Sequence, residues 1–158
     1  AMCYYSQIST EGRDPGLTIN ALNSFKLIET KYPNTKYGKD SKLKIQYLEN
    51  SLARNELNIG KFYLKKGAPA SSIKRFKFIL QNYQNTSVIP ETLYRLTEAL
   101  LIIGLKKEAI KSNAILNYNF SENKWADQSK NLFENNLNPA QIKDDELTVT
   151  DYLKKIFE

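Results

Sequence analysis

Along the middle of the chain, small residues and large apolar residues recur in a fixed order. Ile59-Gly60, Tyr63 and Gly67 are followed by Ser72, Phe76 and Ile79. The order returns at Leu96, Leu100, Gly104, Ala109 and Leu116, a shift of 37 positions (Gly67 to Gly104). Spacings of three and four put such residues on one face of a helix. The small residues let two helices approach closely, and the large ones fill the remaining gap. An earlier half copy holds Ala21, Phe25 and Ile28, closed by Tyr32-Pro33. Ala21 and Ser72 lie 51 residues apart, 17 more than a period of roughly 34. The extra residues predict that the helix leading to Ile59 is longer than its neighbours by several turns.

This is the pattern of tetratricopeptide (TPR) repeats. It predicts an all-α fold in which helix-turn-helix units stack as a right-handed solenoid, with one unusually long helix. The predicted helices span 17–32, 38–66, 70–83, 90–103, 106–118 and 123–136. Local signals support them. Pro33-Asn34-Thr35 and Asn85-Thr86 read as loops that stop one helix and cap the next. Pro90-Glu91 suits a first helical turn, where Pro loses no hydrogen bond and Glu meets the positive end of the dipole. Gly67 and Gly104 suit left-handed helix ends. In the second copy Thr97 replaces the Gly, Asn113 the aromatic and Ser121 the closing Pro. Leu147-Thr148-Val149-Thr150 is β-prone but isolated, so no strand is predicted.

The long helix has two apolar-bearing sides. Leu43, Tyr47, Asn50 and Arg54 line one, and Ile45, Leu48 and Leu52 the other. That arrangement predicts an element packed between neighbours. Ala1-Met2 reads as a cloning remnant, 3–136 as the repeat domain, and 137–158 as a mobile acidic linker with a short helix over Asp151–Phe157.

Composition narrows the function classes. There is no His, which removes Ser-His and Cys-His nucleophile systems and the commonest zinc ligand. No phosphate-cradling glycine loop, CxxC pair or nucleophile elbow occurs. Asp144-Asp145-Glu146 reads as a solvated acidic loop, because consecutive carboxylates point different ways. No catalytic residue, metal site or cofactor is therefore assigned. The single Cys3 forms no internal disulfide and follows no apolar leader. The longest apolar stretch, Ala99–Ile103, is far short of the roughly 20 residues of a membrane helix.

Charge points to binding. The net charge is +6, with 18 Lys/Arg against 9 Asp/Glu in residues 1–118 and 5 against 8 in 119–158. A basic surface over the repeats implies an acidic partner. Lys74, Arg75 and Lys77 interleave with Phe76 and Phe78. Nucleic acid is disfavoured, since Phe76 is assigned to the core and stacking platforms need exposed rings.

Specific runs go beyond the generic repeat. They include Cys3-Tyr4-Tyr5-Ser6-Gln7-Ile8, Arg13-Asp14, Lys31-Tyr32-Pro33-Asn34-Thr35-Lys36-Tyr37 and Leu52-Ala53-Arg54-Asn55-Glu56. Further along stand Ile59–Ala68, Ile73-Lys74-Arg75-Phe76, Glu91–Ala99 and Ser121-Glu122-Asn123-Lys124-Trp125. Over about 3–135 the chain resembles the C-terminal repeats of the BamD-type outer-membrane assembly lipoproteins, especially alphaproteobacterial ones. It departs from them at Pro69, Gln84 and Ser121. The resemblance implies a non-catalytic periplasmic scaffold on the inner face of the outer membrane of a Gram-negative bacterium, attached to the membrane only through a lipid on an upstream cysteine. It implies docking on the membrane-proximal POTRA domain of the β-barrel protein BamA, alongside other assembly subunits, with unfolded outer-membrane proteins as a further partner. The family's basic docking position aligns near Ser51, with Arg54 able to substitute. The implied partner-binding residues are Lys44, Tyr47, Ser51, Arg54, Asn58, Lys61, Lys65 and Arg75. The competing class is a generic TPR adaptor or chaperone that binds peptide tails.

Overall fold

The computed structural model describes residues 1–6 and 15–136. Every regular element among them is helical: α1 (Met2–Ser6), α2 (Pro15–Lys31), α3 (Lys36–Lys65), α4 (Pro69–Asn82), α5 (Ile89–Ile102), α6 (Lys106–Asn119) and α7 (Lys124–Asn136). Six of these match the predicted helices closely. α1 was not anticipated, because five residues are too few to carry a periodic signal. The expected acidic linker and terminal helix lie outside the described residues, as do Ile8 and Arg13-Asp14.

The chain forms two compact units. The first comprises residues 1–56 and 85–87. Its core joins Ala21, Leu22 and Phe25 of α2 to Ile45, Leu48, Leu52 and Ala53 of α3. Ala21 and Phe25 hold the small and aromatic positions that the half copy assigned them. The Tyr5 ring of α1 meets Phe25 edge-on, with centroids 5.8 Å apart, and Lys26 pairs with Glu49 at 2.8 Å. α3 starts at a side-chain cap, since the Gly38 N–H donates to Thr35 Oγ1 at 3.1 Å.

Gly38 is buried at this corner, and a Cβ there would stand 2.1 Å from the Tyr32 carbonyl oxygen. No rotamer change relieves a clash with backbone. Gly38→Ala is therefore expected to lower stability by about 1–3 kcal/mol, outweighing the roughly 1 kcal/mol by which Ala favours a helix over Gly. A thermal melt followed by circular dichroism checks the sign.

The second unit comprises residues 57–84 and the chain from Val88 onward. Here the repeat is literal. Phe76 is fully buried, and a Cβ on Gly60 would lie 2.4 Å from its ring. Gly60 thus provides the space that Phe76 fills. In the second copy the same volume is divided differently: Thr97 is fully buried and Asn113 stands where the aromatic would be. Asn113 accepts from the Ser129 hydroxyl of α7, and Asn117 donates to it at 2.7 Å. A polar link to the next helix replaces an apolar plug. The turns agree with expectation, Gly67 having φ 73° and Gly104 φ 79°.

One expectation about capping fails. Asn85-Thr86 does not cap α5; its N-cap is Val88, which makes no side-chain cap bond. α5 starts instead on Pro at its first positions and Glu91 in its first turn. The Asn85–Ser87 loop belongs to the first unit, where the Ser87 N–H and hydroxyl each donate to Asn50 Oδ1 at 2.8 Å.

Candidate functional site

α3 does not pack on both of its apolar-bearing sides. Ile45, Leu48 and Leu52 are buried, but Leu43 and Tyr47 are 68% and 54% exposed. The expectation of an element enclosed by neighbours is thus corrected for the side bearing Leu43 and Tyr47. The uncovered side forms a groove of about 350 Å³ lined by Leu43, Gln46, Tyr47, Asn50, Ser51, Arg54 and Ser87. Helical spacing sets the α3 residues in a row along one face. The Asn50–Ser87 bonds fix the loop that closes the groove's edge. Tyr47 is steadied from one side by the Tyr5 ring, with centroids 6.3 Å apart at 67°. Arg54 is exposed and has no ion-pair partner among the described residues.

The eight residues expected to bind a partner are divided between the two units, four in each. Tyr47, Ser51 and Arg54 share this groove. Lys44 does not line it; its ammonium pairs with Asp40 at 2.6 Å and lies 5.8 Å from the Tyr5 ring centroid and 6.0 Å from that of Phe25. Asn58 is exposed on α3, and Arg75 is half-buried on α4. Lys61 and Lys65 line a separate cleft of about 370 Å³ in the second unit, with Leu64, Arg95, Glu98 and Ile102. Gln46 and Ser87 complete the first groove and were not anticipated. Gln46 was recoverable from the helical spacing of Leu43, Tyr47 and Asn50. Ser87 was not, because it arrives on a loop distant in sequence.

The second cleft is tied down internally. Lys61 pairs with Glu91 at 2.8 Å, and Arg95 with Glu98 at 2.9 Å. The Arg95 guanidinium also lies 5.2 Å from the Tyr94 ring centroid and 5.5 Å from that of Trp125. Those two rings pack 5.2 Å apart, tilted by 34°, and Lys124 covers Trp125 at 5.1 Å. This arrangement clamps α5 to α7 and leaves Arg95 committed to structure. Phe76 is core, as its repeat position requires.

A family model described as an outer membrane lipoprotein, YfiO, matches residues 1–115. The chain belongs to this family. A relative from Caulobacter vibrioides named outer membrane protein assembly factor BamD is 43% identical, covering 89% of this chain and 46% of its own length. The protein of the same name from Rickettsia prowazekii is 42% identical over 85% of this chain and 54% of its own. That from Neisseria meningitidis serogroup A is 31% identical over 68% and 40%. The chain thus spans about half the length of the curated relatives it matches. The family match covers α1 through most of α6, and so includes both the α3 groove and the second cleft. Among the described residues no helix is long and apolar enough to cross a membrane.

Proposed function

We propose that this chain is a non-catalytic scaffold of outer-membrane protein assembly in a Gram-negative bacterium, working on the periplasmic side of the outer membrane. Family membership, together with relatives named as assembly factors, supports the role. The observation that carries the docking site is the α3 groove, where exposed Leu43 and Tyr47 lie beside Arg54, which has no ion pair among the described residues. An aromatic anchor with an arginine is the composition that concentrates binding energy in protein interfaces. The partner is the membrane-proximal POTRA domain of BamA, presenting an acidic side chain to Arg54 and apolar surface to Tyr47. Assembly proceeds by holding partners in fixed geometry, so the role needs no covalent step.

The test is titration of the purified chain into the matching BamA periplasmic region, by calorimetry at two salt concentrations. Micromolar or tighter binding that weakens with salt is expected, because an exposed charge pair is screened. Absence of binding by the folded chain overturns the docking reading. In that case affinity for short unfolded segments alone favours the peptide-binding adaptor, for which the second cleft supplies a cationic edge at Lys65 beside apolar Leu64 and Ile102.

A further inference from the structure

The corner between α2 and α3 recurs twice along the chain. Residues 31–39 correspond to 82–90, 51 positions on, and those to 119–127, a further 37. An aromatic closes the repeat unit at each corner: Tyr32, Tyr83 and Phe120. Tyr83 and Phe120 are half-buried, and Tyr83 meets Phe78 edge-on, whereas Tyr32 is 57% exposed. Five positions later Val88 is buried and Trp125 packs on Tyr94. In the first corner that position holds Tyr37, which is 77% exposed.

Charge sets the first corner apart in the same way. Residues 31–39 contain Lys31, Lys36 and Lys39 and no acid. The second corner has no charged residue, and the third sets Lys124 against Glu122 and Asp127. Lys31, Lys36 and Lys39 are exposed and make no ion pair among the described residues. α3 carries Lys36 and Lys39 within its first four residues and no acid in its first turn, where a cation opposes the helix dipole. Two positions that serve packing in the later corners are thus given, in the first, to an exposed surface of tyrosine and lysine that folding does not require. That surface is held in one shape. The Thr35 N–H and hydroxyl both donate to the Tyr32 carbonyl, at 3.2 and 2.8 Å. The Lys39 N–H donates to the Thr35 carbonyl at 3.1 Å. A surface already ordered loses little freedom on binding.

We infer that the α2–α3 corner rests on an anionic phospholipid surface, with the Tyr32 and Tyr37 rings at the headgroup level and Lys31, Lys36 and Lys39 beside lipid phosphates. Tyrosine suits that depth because its ring is apolar and its hydroxyl stays wet. An acidic protein also complements three unpaired lysines. Protein interfaces are depleted in Lys, however, whereas an anionic bilayer attracts each lysine near it. The inference rests on the proposed place beside the outer membrane, which the family's description as an outer membrane lipoprotein supports. It uses neither the α3 groove nor BamA, so the docking reading fails on the BamA titration and this one on vesicles.

The test is co-sedimentation of the purified chain with vesicles of phosphatidylethanolamine and phosphatidylglycerol, against phosphatidylcholine vesicles. Binding to the anionic vesicles alone is expected, weakening with salt. Tyr32→Ser/Tyr37→Ser keeps the net charge and, since both rings are exposed, the fold. It is expected to bind about tenfold more weakly, with an unchanged melting curve by circular dichroism. Lys36→Gln/Lys39→Gln is expected to lose a similar factor. Lys74→Gln/Lys77→Gln makes the same charge change at exposed lysines of α4 and is expected to leave binding unchanged. An unaffected tyrosine variant, or equal losses from the two lysine pairs, would reduce the effect to the attraction of any basic protein and overturn the inference. No binding by the parent chain would overturn it as well. If the tyrosine variant instead loses affinity for the BamA periplasmic region while holding vesicles as the parent does, the corner belongs to a protein partner.

Discussion

Phe76→Ala is expected to destabilise the second unit by about 3–5 kcal/mol. Phe76 is fully buried, and its ring lies against the backbone of α3 at Gly60. Removing it forfeits the burial of a large side chain and leaves a cavity between two helices held apart by the rest of the unit. The opposite change at the same contact tests the same geometry. Gly60→Ala would place a Cβ 2.4 Å from Phe76 Cε1, well inside the roughly 3.5–4.0 Å of a relaxed carbon contact. Ala gains about 1 kcal/mol over Gly in a helix interior, whereas overpacking costs about 1–3 kcal/mol. The ring is enclosed and cannot swing away, so a net loss of stability is expected. Adding Phe76→Leu to Gly60→Ala recovers part of it. Urea unfolding followed through Trp125, the single tryptophan, reports this unit because that ring packs within it on Tyr94. A stabilised Gly60→Ala variant would show that the two helices separate freely.

The second large effect concerns binding. Tyr47→Ala/Arg54→Glu is expected to weaken association with the BamA periplasmic region by about tenfold to a hundredfold, roughly 1.4–2.8 kcal/mol, with little change in melting temperature. Both side chains are exposed, and Arg54 holds no ion pair among the described residues. In the proposed docking the reversed charge meets the acidic partner group with repulsion as well as losing attraction. Lys61 is a poorer probe, although sequence placed it in the same site. Lys61→Glu would break the pair with Glu91 and set two carboxylates against each other within the fold, so reduced binding would mix with reduced stability. Unchanged affinity in a folded Tyr47→Ala/Arg54→Glu variant would remove the α3 groove from the docking surface.

Much of the fold is legible because repeats encode it locally. Gly67 and Gly104 mark left-handed turns that few other residues accept. Ser72 and Phe76 fall on one face by spacing alone, and the 51 residues from Ala21 to Ser72 announce the length of α3. The failures are equally local. α1 is too short for periodicity, and Asn85-Thr86 looked like a cap but serves as a turn, with Asn50 binding the adjoining Ser87.

The candidate site was only partly legible. Tyr47, Ser51 and Arg54 share one groove, as expected from one helix face. Lys44 sits one residue off that row, and the helical rotation turns it toward Tyr5 and Phe25. Lys61 is committed to Glu91, an ion pair across 30 positions that no local pattern foretells.

By itself the sequence determined the class of fold, the helix limits, the repeat period, the family and the lack of histidine chemistry. Each depends on residue identity, on spacings of three and four that helix geometry fixes, and on the recurrence of that local pattern along the chain. Only the tertiary structure decided which apolar residues stay uncovered. Leu43 and Leu48 carry the same hydrophobicity, and their burial differs because neighbours cover one side of α3 and leave the other open. It likewise decided which lysines remain available, since charges are neutralised by partners that only chain folding brings together.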